Sequence, residues 1–197
     1  MGSWLRRRSS GSSPPGEDPA APVTGGASRF LLEVFEKIER RSEEGSAYRV
    51  LIVGPPSGRT IETFSRHGAR VTVDGEDWPE LPLSHADAAF DLVVGLDLVD
   101  LLEDETAAAL GAEWARVLVP GGKVFLVSRT GAARLSSAER LEVLEDASLR
   151  ALPRAGTRSR LISRGNRALE RLLEPLIVDE ILLRRDGLRE VVYKRPT

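Results

Sequence analysis

The residues with chemistry to offer recur at one kind of place, just after a short apolar run. Gly54, Ser57 and Gly58 follow "YRVLIV", Asp74 and Glu76 follow "ARVTVD", Asp97 and Asp100 follow "FDLVVGL", and Ser128 to Thr130 follow "KVFLVS". Glycine lets backbone approach a ligand closely, and a carboxylate accepts from both hydroxyls of a diol at once. An aspartate beside a bound acceptor can serve as a general base. These types suit the binding of a small polar ligand, with Asp97 or Asp100 as the base if one is needed. The histidines offer less. His85 precedes an apolar run and is expected at the opposite end from these groups, and His67 is read as closing a helix. Two histidines and no cysteine argue against a metal site and exclude a disulfide or a thiolate nucleophile.

The elements that must position these groups are legible from periodicity. From Ser28, an N-cap, "RFLLEVFEKIERRSEEG" sets Phe30, Leu31, Val34, Phe35 and Ile38 on one helical stripe, with Gly45 just beyond its end. "YRVLIV" is a continuous apolar run suited to a parallel strand covered on both faces. A short helix over 60–67 ends at Gly68, and "ARVTVD" is the next strand. "FDLVVGL", residues 90–96, is a third strand, and a helix over 104–117 opens on the acidic run Glu103-Asp104-Glu105. "PGG" is read as a break before the strand "KVFLVS". Near the C-terminus "LIVDEILLRR" and "LREVVYKR" flank Asp186-Gly187, a turn dipeptide for an antiparallel hairpin. Strands alternating with helices predict an α/β domain with a mostly parallel sheet, whose ligands bind outside the carboxyl ends of the strands.

Over residues 28–130 and the last twenty, the chain resembles a class I S-adenosylmethionine (SAM) dependent methyltransferase domain of the small-molecule type. The stretches that carry the resemblance are "FDLVVGLDLVDLLEDE" and "EWARVLVPGGKVFLVS". The resemblance implies a Rossmann-like sheet, SAM as cofactor and a small-molecule or protein methyl acceptor. It also implies cofactor contacts from Gly54, Ser57, Gly58, Asp74, Glu76 and Trp78. Asp74 stands where the family holds the ribose hydroxyls, although "DGED" also reads as a simple turn. Trp78 either stacks on the adenine or packs on the surface. Asp97 and Asp100 are either acid/base groups or the N-terminal charge of the following helix. The family's acidic residue, any residue, then three alternate glycines falls on Ile52, Gly54, Pro56 and Gly58, so the acid and one glycine are replaced. Leu101 replaces a histidine that many members carry. An isoleucine removes the charge that would balance the methionine ammonium, and a proline adds a ring and deletes an N–H.

Between Asp74 and Phe90 lie fifteen residues, too few for the helix, strand and connection the family fits there. The expected sheet therefore lacks the usual third strand and has six strands in the family's order 2-1-4-5-7-6. Residues 131–175 are expected as a helical, arginine-rich insertion, with Leu161, Ile162, Leu169, Leu172 and Leu173 docked and its arginines solvated. Arginines across 150–171 suit an acidic partner or a membrane surface. Without an aromatic residue among them they argue against nucleic acid, as does the net charge of −2. Residues 1–27, rich in Ser, Pro and Gly, are expected as a disordered tail without a signal peptide or membrane span, and a cytoplasmic location suits the absence of cysteine. Two functions follow: a SAM-dependent methyltransferase with a diverged cofactor site, or a non-catalytic protein using the same fold as a binding or assembly module.

Overall fold

The computed structural model describes residues 26–75, 79–130, 139–153 and 161–197. The expected tail therefore lies almost wholly outside the described residues, as do Glu76, Asp77 and Trp78.

Helix α1, Arg29–Glu43, starts as the sequence dictates. The Ser28 hydroxyl accepts from the Leu31 amide at 3.3 Å, and Phe30, Leu31, Val34, Phe35 and Ile38 are all buried. Strand β1 (Arg49–Val53) leads to α2 (Gly58–Arg66) and β2 (Arg70–Asp74); β3 spans Phe90–Leu96 and α3 Asp104–Val117. Strand β4 spans Leu118–Arg129 and so runs through Pro120-Gly121-Gly122, which the sequence reading took as a break. Gly121 turns the backbone there at φ +75°, and a register shift against β3 absorbs the extra residues.

A two-stranded hairpin, β5 (Glu139–Val143) and β6 (Leu149–Pro153), is followed by the short helix α4 (Asn166–Leu172) and the terminal strands β7 (Ile177–Leu183) and β8 (Leu188–Lys194). The main sheet has the order β2-β1-β3-β4-β8-β7, parallel through β4 and antiparallel beyond. This is the expected six-strand order with its terminal hairpin.

Side chains alternate across the strands into two cores. Val50, Ile52, Leu92, Val94, Phe125 and Val192 face α1, α2 and the β5–β6 hairpin. Leu51, Val53, Val93, Val124, Leu126 and Tyr193 face α3 and α4, around a fully buried Trp114.

Two connections flank the six strands that the sheet has among the described residues. The segment 79–89 docks on α3: Glu113 accepts from the Leu83 amide at 2.8 Å, and Arg116 donates to the Leu83 and His85 carbonyls at 2.9 and 2.7 Å. Leu83 itself is buried in the core beneath. The second connection corrects the helical insertion expected over 131–175. Its described part is the β5–β6 hairpin and only seven helical residues, because Leu141, Val143, Leu149 and Ala151 alternate with polar positions at the period of a strand.

Candidate cofactor site

The carboxyl ends of β1, β2, β3 and β4 meet at one edge, where Gly54, Ser57, Gly58, Asp74, Asp97 and Asp100 follow their strands; Glu76 and Trp78 lie outside the described residues. Gly54 takes a left-handed φ of +92°, and its amide donates to the Asp74 carbonyl at 3.0 Å, so the ends of β1 and β2 lie side by side. Ser57 caps α2, accepting from the Thr60 amide at 3.1 Å. It is buried, so its hydroxyl serves the helix. Gly58 opens α2 with open space around its α-carbon. Asp74 ends β2 at this edge, and its Oδ2 lies 2.9 Å from Nε2 of His85. The His85 ring therefore sits between Asp74 and an edge-on Phe90, rather than away from the site as its place in the sequence suggests. His67 does close α2 as read, stacked on Phe35 with ring centroids 4.0 Å apart.

The aspartates expected to act as base are committed elsewhere. Asp97 accepts from Nη2 of Arg129 at 2.8 Å. Asp100 accepts from the Arg129 amide at 2.6 Å and from the Ser128 hydroxyl at 3.1 Å. Burial pushes the Asp100 carboxyl above the ordinary carboxylate range, against the pull of these donors. Ser128 also accepts from Arg189, so the end of β4 is a buried polar network. The arginine-rich segment feeds it too. Arg164, expected as solvated, is buried and donates to the Val99 and Leu102 carbonyls and to Asp104. Arg150 pairs with the buried Glu142. Arg154, Arg158 and Arg160 lie outside the described residues, which leaves Arg167 and Arg171 as the exposed described arginines of that stretch.

What the sequence reading missed is the hairpin itself, which lies over the glycine loop. Val143 donates its amide to Thr60 Oγ1 at 3.0 Å, and the Thr63 hydroxyl donates to the Val143 carbonyl at 3.2 Å. At the turn, the Ala147 carbonyl accepts from the Ser28 amide at 2.8 Å. Arg140 extends from β5 across the double proline, donating to the carbonyls of Pro55 and Pro56 at 3.3 and 3.4 Å. Ile52, at the position of the family's acid, is 2% exposed and belongs to the same core as Leu141. The cleft left between Ile52, Pro55, Pro56, Asp97, Arg140 and Leu141 measures about 20 Å³. That is the space of one or two waters, where pockets for small molecules run to roughly 300 Å³ or more. Beside Ile52 and the double proline, the described part of this cleft thus has space for little more than water. No group of His, Asp or Glu among the described residues could hold a metal ion, and no helix among them is long and apolar enough to cross a membrane.

No protein-family model matches the sequence, and no curated protein matches it either. Solved structures do. A SAM-dependent methyltransferase from Methanosarcina mazei superposes at TM-score 0.55 and 17% identity, over 76% of this chain and 93% of that one. The chain carries the class I methyltransferase fold. An N-methyltransferase from Bradyrhizobium japonicum matches this fold at TM-score 0.51 and 17% identity, over 85% of this chain and 97% of that one. The 1,6-didemethyltoxoflavin N1-methyltransferase of Burkholderia thailandensis, solved with its substrate and S-adenosylhomocysteine, matches at TM-score 0.52 and 12% identity, over 86% and 82% of the two chains. At these identities the likeness concerns the fold, while activity must be argued from the site.

Proposed function

We propose that this protein is a non-catalytic member of the methyltransferase fold, in which the cofactor hollow has become part of the core and the scaffold serves binding or assembly. The observation that carries this reading is the β5–β6 hairpin on the glycine loop, with Arg140 on the Pro55 and Pro56 carbonyls. Three changes support one another there. Ile52 offers an apolar surface where an acid would need a cation, Leu141 packs into the same core, and Pro56 removes the N–H that a ligand would use. Asp97 and Asp100 then act as anchors for Arg129 and the end of β4 rather than as bases.

The enzymatic reading keeps one argument, the place of Asp74 beside Gly54, where a ribose would lie in the family. It requires the hairpin to leave and SAM to enter, with a small molecule as acceptor. Calorimetric titration of the full chain with SAM separates the two. Absence of heat at millimolar ligand is expected. A dissociation constant in the micromolar range, lost in Asp74→Ala, would restore the enzyme.

A further inference from the structure

The chain has two histidines, and the fold places them differently. His67 pairs with the exposed Glu39. His85 is set against a buried carboxylate oxygen, with Nε2 at 2.9 Å from Oδ2 of Asp74, the last residue of β2. Both of these atoms are buried, yet they are not aligned for a hydrogen bond, and neither makes one elsewhere among the described residues. A neutral imidazole gains little from such a contact, because a hydrogen bond weakens steeply away from the line of its N–H. A protonated ring needs no alignment: its charge attracts the carboxylate at any angle, and more strongly where water is kept out.

The other charges around His85 act in the same sense. Asp87 lies on its own segment, and Glu113 and Arg116 face it from α3. Arg116 bridges the two acids, at 2.8 Å to Asp87 and 2.7 Å to Glu113, while donating to the His85 carbonyl. With Asp74 from β2, a proton on His85 meets three carboxylates and one guanidinium. From β3 comes the uncharged ring of Phe90, edge-on with centroids 5.1 Å apart, while the neighbouring Asp91 is taken up by Arg41 and Arg49. Glu80, earlier on the segment, is exposed. Residues 79–89 have no helix or strand of their own. Apart from the burial of Leu83, they are held by a few polar contacts, from Glu113 and Arg116 to Leu83, His85 and Ala88. Such a segment opens locally at far less cost than the core, so the gain or loss of one charge pair changes how often it opens.

We infer that His85 is a proton-controlled latch: the charged ring holds the 79–89 segment to the end of β2 and covers the Asp74 carboxylate, and loss of the proton loosens the segment and uncovers Asp74. The hold is greatest below the imidazole range, centred on about pH 6.5, and falls as pH rises through it. The latch does not depend on whether the hollow beside Ile52 admits a ligand. Amide hydrogen exchange of the full chain at about pH 5.5 and about pH 7.5, corrected for the intrinsic exchange rate, tests it. Protection of the Leu83 amide and its neighbours is expected to be about threefold or more higher at the lower pH. That ratio is expected to fall close to one in His85→Gln and in Asp74→Asn, and to persist in His67→Gln, which removes the other titrating ring; circular dichroism melts show that each variant folds. A wild-type ratio near one would overturn the inference without recourse to any variant. A ratio that survives in His85→Gln, or is lost in His67→Gln, would overturn it equally, by assigning the pH dependence to another group.

Discussion

Ile52 is the residue on which the two histories of this fold part. In a SAM-binding site a carboxylate there is stabilised by the cation it meets; here its place is buried between strand and hairpin. A carboxylate introduced by Ile52→Asp would be desolvated in the apolar core it shares with Leu141, and the cation in the same cleft, Arg140, already donates its Nη1 to the proline carbonyls. That change is expected to destabilise the protein by about 3 kcal/mol or more, read by urea denaturation. Millimolar SAM should not recover the loss; recovery would mean the ligand site is intact. Little of this was legible beforehand. The replacement of acid and glycine is plain in "LIVGPPSG", but what fills the space is set by Arg140, some eighty residues away, which has no local pattern to announce it.

The elements divide in the same way. Helix α1, strands β1 to β3 and helix α3 follow from apolar periodicity and caps, because each buries its stripe against the sheet whatever lies above it. The β5–β6 hairpin escaped notice because its turn, Glu145 to Ser148, has no glycine. Ala147 takes φ +60° instead, held where Asp146 accepts from the Ser148 amide and hydroxyl. Thr60 and Thr63 both fasten this hairpin to α2, Thr60 by accepting from the Val143 amide. Thr60→Val is expected to leave the Val143 amide unpaired and to cost about 1–3 kcal/mol, whereas Thr60→Ser keeps most of the bond; equal melting of the two variants would show that the hairpin is held otherwise. The docked segment 79–89 gives a pH prediction. Hydrogen bonds from Arg116 hold the Glu113 carboxyl below its ordinary value of 4.5. A depressed acid contributes stability that is present above that value and lost as pH falls through the lower folded value. Urea midpoints measured from about pH 6 down to about pH 3 should therefore fall less steeply in Glu113→Gln than in wild type. Parallel curves would remove Glu113 from the account.

For the molecule as a whole, six strands suffice because β2 can serve as an edge once the short connection is stitched to α3 by Glu113 and Arg116. The fold rests on its two cores, whereas the candidate cofactor site is built from the loops that follow the strands. The resemblance seen in "FDLVVGLDLVDLLEDE" reports the cores, and for that reason it identified the architecture. Crystals grown with millimolar S-adenosylhomocysteine test the closed hollow most directly. The account predicts Arg140 on the carbonyls of Pro55 and Pro56 with Leu141 packed beside Ile52, as in the protein alone. An adenosyl group over Gly54 to Gly58, with the hairpin displaced, would contradict it.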